Sequence, residues 1–280
     1  MKLDFCYDQH LHSRHSFDCQ TPPEDNVRAA IDRGLAGLIF TEHFDPHPEE
    51  WRECVYDHQA YTGTIRRLRE EFGERIFIGQ GVEVGYYRER LDFTLDFLAD
   101  GDFDCVILSL HAIDHRLLHL RESWENLSVP EGSRRYFAHL LEAVEFARDV
   151  NRRGRPVFNI LGHLDLVKRY TRRFFADESV DANADVIDRI LRACLDAGLI
   201  PEINTSTWRQ GLDEPMPGPA VLRRYAELGG RAISLGSDAH RADDIGAGFD
   251  DAILLARTSG LSYVACFRDT RPQLVSLNPD

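Results

Sequence analysis

The chain has 280 residues, 43% of them hydrophobic, which is enough to bury one large core, and α/β barrels of this length often form a single domain. Acids outnumber bases 47 to 33, and the resulting formal charge of −14 repels a phosphate backbone and argues against general nucleic-acid binding. No apolar run approaches the ~20 residues of a membrane span, and the opening stretch MKLDFCYDQH meets an acid at Asp4 and lacks the apolar core of a signal peptide. Six scattered cysteines (Cys6, Cys19, Cys54, Cys105, Cys194 and Cys266) form no CxxC pair, as expected of reduced cytoplasmic thiols buried as small apolar groups. Of these, only Cys19 lies beside a cluster of histidines.

Predicted elements alternate along the chain. KLDFCY (2–7) reads as a strand and runs into the histidine-rich stretch DQHLHSRHSFD (8–18). Thr21, Pro22 and Glu24 then have the order of an N-cap, a first-turn proline and a capping-box acid, for a helix that buries Val27, Ala30 and Ile31 and stops at Gly34. LAGLIF (35–40) is the next strand. Tyr61, Ile65, Leu68 and Phe72 have helical spacing, RIFIGQGVEVG (75–85) is a strand, and Leu91, Leu95 and Leu98 mark a helix. FDCVILSLHA (103–112) is a strand, Tyr136, Leu140, Leu141, Val144 and Ala147 mark a helix, and PVFNILGHLD (156–165) is a strand. The order continues with a helix over 183–199 ending near Gly198, strand IPEIN (200–204), a helix over 219–230 ending at Gly229 and Gly230, and strand RAISLGSDAH (231–240). DDAILLARTSG (250–260) and SYVACF (262–267) close the chain, the latter either pairing with the sheet or lying outside it. No linker or repeat interrupts the pattern. Such alternation implies a mostly parallel sheet with crossover helices, either an open sheet or a barrel.

The strand ends distinguish the two. The apolar segments finish in turn at His10 and His12, His43, Glu83, His111, His163 and Asp165, Glu202 and Asn204, and Asp238 and His240. An open sheet spreads its strand ends along a line, whereas a barrel gathers them at one mouth. Seven strands delivering metal-ligand side chains to the same end therefore favour a barrel with a multi-metal site. Each residue alone has a plainer reading as a hydrogen-bonded polar group. His10 and His12, two apart on a strand, face the same way, yet a lone HxH is a weak signal. Glu83 is stronger, because a carboxylate after a buried strand needs a partner, and Gly79, Gly81 and Gly85 around it let backbone approach closely. His47, His58, His115, His119 and His139 fall outside the pattern and read as ordinary surface residues. Asp8 shares the face of His10 and His12 and reads as an acceptor that orients an imidazole.

In the order DQHLHS, TEHFD, GVEVG, LSLHAID, GHLDLVKRY, EINTS and LGSDAH, spanning nearly the whole chain, these motifs resemble the PHP (polymerase and histidinol phosphatase) superfamily. GHLDLVKRY, EINTSTWRQG and ISLGSDAHRADDIG are most similar to monofunctional histidinol-phosphate phosphatases. The resemblance implies a distorted (β/α)7 barrel, residues 1–280 forming one PHP metallophosphoesterase domain, with three divalent metal ions. His10, His12, Glu83 and Asp238 would hold the first; Glu83 would bridge to the second, completed by His111 and His163; His43, His240 and Asp18 would hold the third. His15 would be no ligand but would either contact substrate or protonate a leaving group, and Asp238 and His240 would also serve catalysis. Arg169 and Arg209, just past two strand ends, are candidate phosphate clamps; Glu202, Asn204 and Ser206 would hydrogen-bond the rest of the substrate.

The implied reaction is hydrolysis of a small phosphate monoester, L-histidinol phosphate in histidine biosynthesis, by a metal-bridging hydroxide and without a covalent intermediate. Mixed His and carboxylate ligands suit Zn, Mn or Fe. An acidic wall would suit a cationic amino alcohol. Two other readings stand beside it. A PHP phosphoesterase of nucleotides or short oligonucleotides could use Trp208 and Tyr170 as stacking platforms. A non-catalytic PHP-like structural or regulatory domain would show degenerate ligand positions, and here every position holds a competent ligand. The expected partner is thus a small phosphorylated substrate, with no membrane and no stable nucleic-acid complex. The segment between His43 and Glu83 and the loop from Asp114 to Arg134 are long, as loops that shape substrate choice commonly are.

Overall fold

Parallel strands cannot be joined by tight turns, so each step along the sheet needs a crossover, and the helices supply most of these. The structure is a computed structural model and describes residues 3, 5–49, 52, 54–177 and 179–278. In chain order it contains β1 (Tyr7–Asp8), α1 (Pro23–Asp32), β2 (Gly37–Phe44), α2 (His58–Phe72), β3 (Phe77–Gly85), α3 (Leu91–Asp100) and β4 (Cys105–Ser109). A small hairpin, β5 (Ala112–Ile113) and β6 (Arg116–Leu117), precedes α4 (Val129–Asn151), β7 (Ile160–Leu161) and α5 (Val167–Phe175). Then follow α6 (Ala184–Ala197), β8 (Ile200–Asn204), α7 (Ser206–Arg209), α8 (Pro219–Glu227), β9 (Ala232–Gly236), α9 (Phe249–Thr258), β10 (Tyr263–Arg268) and β11 (Arg271–Ser276).

The main sheet runs β1-β2-β3-β4-β7-β8-β9-β10-β11, and every pairing is parallel except the β10–β11 hairpin. The two ends of the first seven of these strands meet. The Gln9 N–H donates to the Leu235 carbonyl at 3.0 Å, Asp238 N–H to His10 at 2.7 Å and His12 N–H to Ala239 at 2.9 Å. Leu11 also bridges Ala239. The ring is thus completed by the extended chain after β1 lying against the chain after β9, beyond the regular ladders, which matches the expected distorted barrel. The interior is filled by buried residues such as Leu11, Ile39, Ile107, Leu161 and Ile203, and Tyr61 ties two strands by placing its hydroxyl 2.8 Å from the Phe40 carbonyl and 3.0 Å from that of Gly81.

Several local expectations change. The strand expected over 2–7 is only Tyr7–Asp8 among the described residues, and Lys2 and Asp4 lie outside them. The capping box at Thr21 does not form. Helix α1 starts one residue later, with Pro22 at the N-cap, because the Thr21 hydroxyl donates to the His240 carbonyl at 2.8 Å and Glu24 pairs with Arg67 at 3.0 Å. SYVACF does join the sheet: Tyr263 and Val264 pair with Ala232 and Ile233 of β9.

Gln9 wedges β10 beside the barrel seam. Its side-chain amide donates to the Ala265 carbonyl at 2.7 Å and the Ser234 hydroxyl at 2.9 Å, and it accepts from the Phe267 N–H at 2.7 Å. All of this is buried, so Gln9→Ala should lower unfolding free energy by about 2–4 kcal/mol in urea denaturation, since several buried partners lose their bonds at once. A loss below about 0.5 kcal/mol would show that the seam does not depend on this amide.

Candidate metal centre

The strand register assembles the site. His43 of β2 lies directly beside Glu83 of β3, as Cα partners in the parallel ladder. His10 and His12 come from the extended seam after β1, and His111 and His163 from just beyond β4 and β7. Asp238 and His240 follow β9. Both His163 (φ +20°) and Asp238 (φ +54°) sit in left-handed backbone, a conformation costly for these residues and concentrated at functional sites.

Glu83 is wholly buried, and its two carboxylate oxygens face different groups. Oε2 lies 3.2 Å from His10 Nε2, 3.6 Å from His12 Nε2 and 3.0 Å from His43 Nδ1. Oε1 lies 2.8 Å from His163 Nε2 and 3.1 Å from His111 Nε2, and accepts from the Ser109 hydroxyl at 2.7 Å. Asp238 Oδ1 stands 3.5 Å from His12 Nε2 and 3.9 Å from His10 Nε2. At the rim, Asp18 Oδ2 is 3.2 Å from His240 Nε2 and 3.5 Å from His43 Nε2. Every position expected to be a ligand thus converges here. A cavity of about 630 Å³ opens onto this cluster, with Arg169, Tyr170 and the half-exposed ring of Phe17 on its walls.

A metal fits this donor set. His10 Nε2, His12 Nε2, His43 Nδ1 and Glu83 Oε2 are buried without a hydrogen-bond partner, a cost that a shared cation removes. Three sets, His10/His12/Glu83, His43/Glu83/His111 and His12/His43/His240, bring potential ligand atoms within 4.8 Å of one another. Imidazole nitrogens mixed with carboxylates suit divalent transition metals. The far ring nitrogens are anchored so that the near ones point inward. His10 Nδ1 bonds Glu202 at 2.7 Å and His111 Nδ1 bonds Asp45 at 2.8 Å. His12 Nδ1 meets the Ser16 hydroxyl at 3.2 Å, which donates to Glu42 at 2.6 Å.

The electrostatics agree. Burial alone would raise Glu83, but His10, His111 and His43 hold it well below the usual carboxylate range. Burial pushes His111 down, yet Asp45 and Glu83 lift it to about 10; Asp45, in turn, is held at about 2 against its burial, chiefly by His111. Burial, with the charges of His43 and His240, drops His12 to about 3. Without a cation, protons on some imidazoles balance the buried carboxylates.

Several expected roles do not survive the geometry. His15 turns to α2, with Nε2 3.1 Å from the Thr64 hydroxyl and its ring edge-on to Tyr61, and it does not line the cavity. Arg209 is spent on the chain after β9, donating to the Ser237 carbonyl at 2.7 Å and meeting Asp244 at 3.4 Å. Asn204 is buried beneath the site and accepts from the Ser206 hydroxyl at 2.5 Å; that hydroxyl also lies 3.2 Å from Asp238. Glu202 is equally buried and orients His10 and the His163 N–H instead of reaching substrate. Asp8 orients no imidazole: it accepts from the Ser237 N–H and hydroxyl at 3.0 and 2.6 Å and from the Gly246 N–H at 2.8 Å. His47 is buried, bonded to the His115 carbonyl at 2.9 Å. Trp208 donates to the Asp213 carbonyl at 3.2 Å and lies off the cavity, whereas Tyr170 lines it. The Cys19 thiol donates to the His240 carbonyl at 3.2 Å, and burial raises it away from reactivity. Among the residues expected to contact histidinol phosphate, Arg169 lies on the cavity wall, 3.1 Å from Asp238 and 2.5 Å from the Ser206 hydroxyl. Asp45 was not singled out in the sequence, although the D of TEHFD carried the clue.

Residues 8–206 match the PHP domain family. The chain is 29% identical over 269 residues to the histidinol-phosphatase of Lactococcus lactis subsp. lactis, covering 95% of this chain and 94% of that protein. It is 30% identical over 260 residues to a Deinococcus radiodurans protein named "Probable histidinol-phosphatase", covering 90% and 93%. Its fold is similar to a crystal structure of the Lactococcus lactis histidinol phosphate phosphatase complexed with zinc, L-histidinol and phosphate, with a TM-score of 0.85, 28% identity and coverage of 96% and 98%.

Two outcomes test this centre. Glu202→Gln should weaken metal binding about tenfold to a hundredfold in chelator competition, as loss of an outer partner to a ligating histidine does; unchanged affinity would free His10 from Glu202. In chelator-stripped protein, protonated His111 stabilises the fold fully below its unfolded value near 6.5, and that contribution fades as pH rises toward about 10. Urea denaturation of stripped protein should therefore show stability falling between pH 7 and 10, and metal-loaded protein should lack this decline because the cation replaces the proton. A flat profile in the stripped protein would contradict the pairing.

Proposed function

Because the chain belongs to the PHP domain family, we propose that it is a metal-dependent phosphatase of small phosphate monoesters whose substrate is L-histidinol phosphate. The observation that carries this reading is the buried Glu83 carboxylate, one oxygen turned to His10, His12 and His43 and the other to His111 and His163, with orphaned ligand atoms around it. Three cations are proposed: one on His10, His12, Glu83 and Asp238, one on Glu83, His111 and His163, and one on Asp18, His43 and His240. Their ligands favour Zn, Mn or Fe. Bound cations neutralise phosphoryl oxygens and bring the pKa of a water molecule toward neutrality, which addresses the charge repulsion that makes phosphate monoesters slow to hydrolyse.

The chain's own residues do the rest. Arg169 offers the phosphoryl group a guanidinium whose Nε is buried and unpaired. Asp45, Glu202 and the Ser16–Glu42 pair keep the imidazoles aimed. Tyr170 and Leu166 line the same cavity. The substrate choice rests on the relatives' names and on the zinc, histidinol and phosphate held by the 28% identical Lactococcus lactis structure. We read residues 1–280 as one domain and the setting as cytoplasmic, in keeping with six cysteines that form no disulfide.

A phosphate-release screen with Mn or Zn tests the reading by comparing histidinol phosphate, nucleoside monophosphates and short oligonucleotides. Histidinol phosphate should be the preferred substrate; turnover of nucleotides with histidinol phosphate inert would overturn the choice. His111→Ala and Asp238→Ala should each cut turnover by more than about a hundredfold, beyond the effect of losing an outer partner, while circular dichroism stays native. Full activity in either variant would remove that residue from the cluster.

A further inference from the structure

Beside the catalytic cavity lies a second depression of about 410 Å³ whose wall is continuous with it. The two share His119, Arg169 and Tyr170. The annex adds Arg172 and Arg173, and none of its lining residues is acidic. That is unexpected in a chain with 47 acids against 33 bases, and it contrasts with the catalytic cavity, whose lining includes Asp18, Asp45, Glu83 and Asp238.

The local chemistry explains how the arginines come together. Lys168 is buried and anchors the start of α5, donating to Asp165 at 3.0 Å and to the Pro215 carbonyl at 2.5 Å. This turns Arg169 into the catalytic cavity. Arg172 and Arg173, three and four residues on, project on the same side of the helix. Both are exposed, and among the described residues neither has a carboxylate within 4.0 Å; Arg173 only lies over the Phe174 ring, 5.4 Å from its centroid. Arg121 approaches from the loop after β6, over the same ring at 5.8 Å. Basic residues in the last turn of a helix also complement its dipole, and that alone would account for their presence in α5. It would not account for an acid-free hollow that shares His119, Arg169 and Tyr170 with the wall of the catalytic cavity.

Building on the phosphatase reading above, we propose that this annex is an anion port, a subsite where Arg172 and Arg173 hold a phosphate dianion on its way to or from the catalytic cavity. The chain's charge of −14 repels such a dianion at long range, and a local positive gate at the mouth offsets that repulsion. Arg169, on the wall common to both hollows, then passes the group from the annex to the metal cluster.

The test uses the metal-loaded enzyme and its Arg172→Gln/Arg173→Gln variant. Both side chains are exposed, so the variant should fold. In roughly 0.01 M salt, where charges act over about 30 Å, the variant's kcat/KM for histidinol phosphate should fall about fivefold to tenfold with kcat unchanged. In roughly 1 M salt the difference should shrink below about twofold, and Arg172→Lys/Arg173→Lys should restore most of it. That pattern assigns the port to the incoming ester. A lower kcat with kcat/KM unchanged would assign it to departing orthophosphate. Calorimetric titration with inorganic phosphate needs no turnover, and the variant should bind it at least about threefold more weakly at low salt. Dipole complementation alone would move the denaturation midpoint and leave the salt slope of kcat/KM untouched. Equal phosphate affinity and parallel salt dependences in wild type and variant would overturn the port, whereas a wild type that binds phosphate but hydrolyses no ester would overturn the phosphatase reading instead.

Discussion

The structure turns on one buried carboxylate. Glu83 is shut away from water, and an isolated charge there would be prohibitively costly. It is tolerated because positive or proton-bearing groups face both of its oxygens: His10, His12 and His43 on one side, His111 and His163 on the other. These imidazoles are brought in by four parts of the barrel, His10 and His12 together from the seam, so the parallel register and the seam between β1 and β9 are conditions for the charge to be compensated. A buried pair left half-satisfied is worse than none, which makes the cluster an all-or-nothing arrangement. Cations shared among these side chains satisfy the whole set together.

A second tier of contacts keeps this arrangement aimed. Asp45 and Glu202 reach past backbone that has no side chain to block them. A Cβ at Gly85 would collide with the Asp45 carboxylate, and one at Gly236 with that of Glu202. These two close approaches let Asp45 hold His111 and Glu202 hold His10. Glu42 has no imidazole contact of its own in this network, yet through Ser16 it sets the far nitrogen of His12; burial pushes its carboxyl up to about 7, against the pull of the Ser13 and Ser16 bonds. Rigidity at the metal ligands is therefore built from residues one step away from them, as metal sites generally require.

Much of this arrangement is legible in the sequence. Strand and helix alternation and the seven polar strand ends follow from periodicities of two and 3.6 residues and from the rule that buried charge needs a partner, whereas the pairing of HxH with Glu83 on one metal is what the family resemblance implies. Asp18 was reachable only by resemblance to a family, because it lies in a loop whose path spacing does not determine. The orienting residues were misread or missed for a related reason: Glu202 and Asp45 act on histidines carried by other strands, and sequence separation hides such pairs. Arg169 and Arg209 looked alike, each shortly after a strand, yet one faces the cavity while the other is drawn to the Ser237 carbonyl and Asp244. Helix α5 is not legible in the sequence, since VKRYTRRFF has too few apolar residues to declare a buried stripe, and the same arginines that obscure it line the annex.

The central claim is that residues distant in sequence gather around cations held in common by Glu83. Elemental analysis of reconstituted, gel-filtered protein measures this directly. Wild type should carry close to three equivalents of Zn or Mn per chain, and Glu83→Gln should lose two of them together, since one side chain serves both sets of imidazoles. Wild-type protein that retains no transition metal, or a Glu83→Gln variant with undiminished metal content, would contradict it.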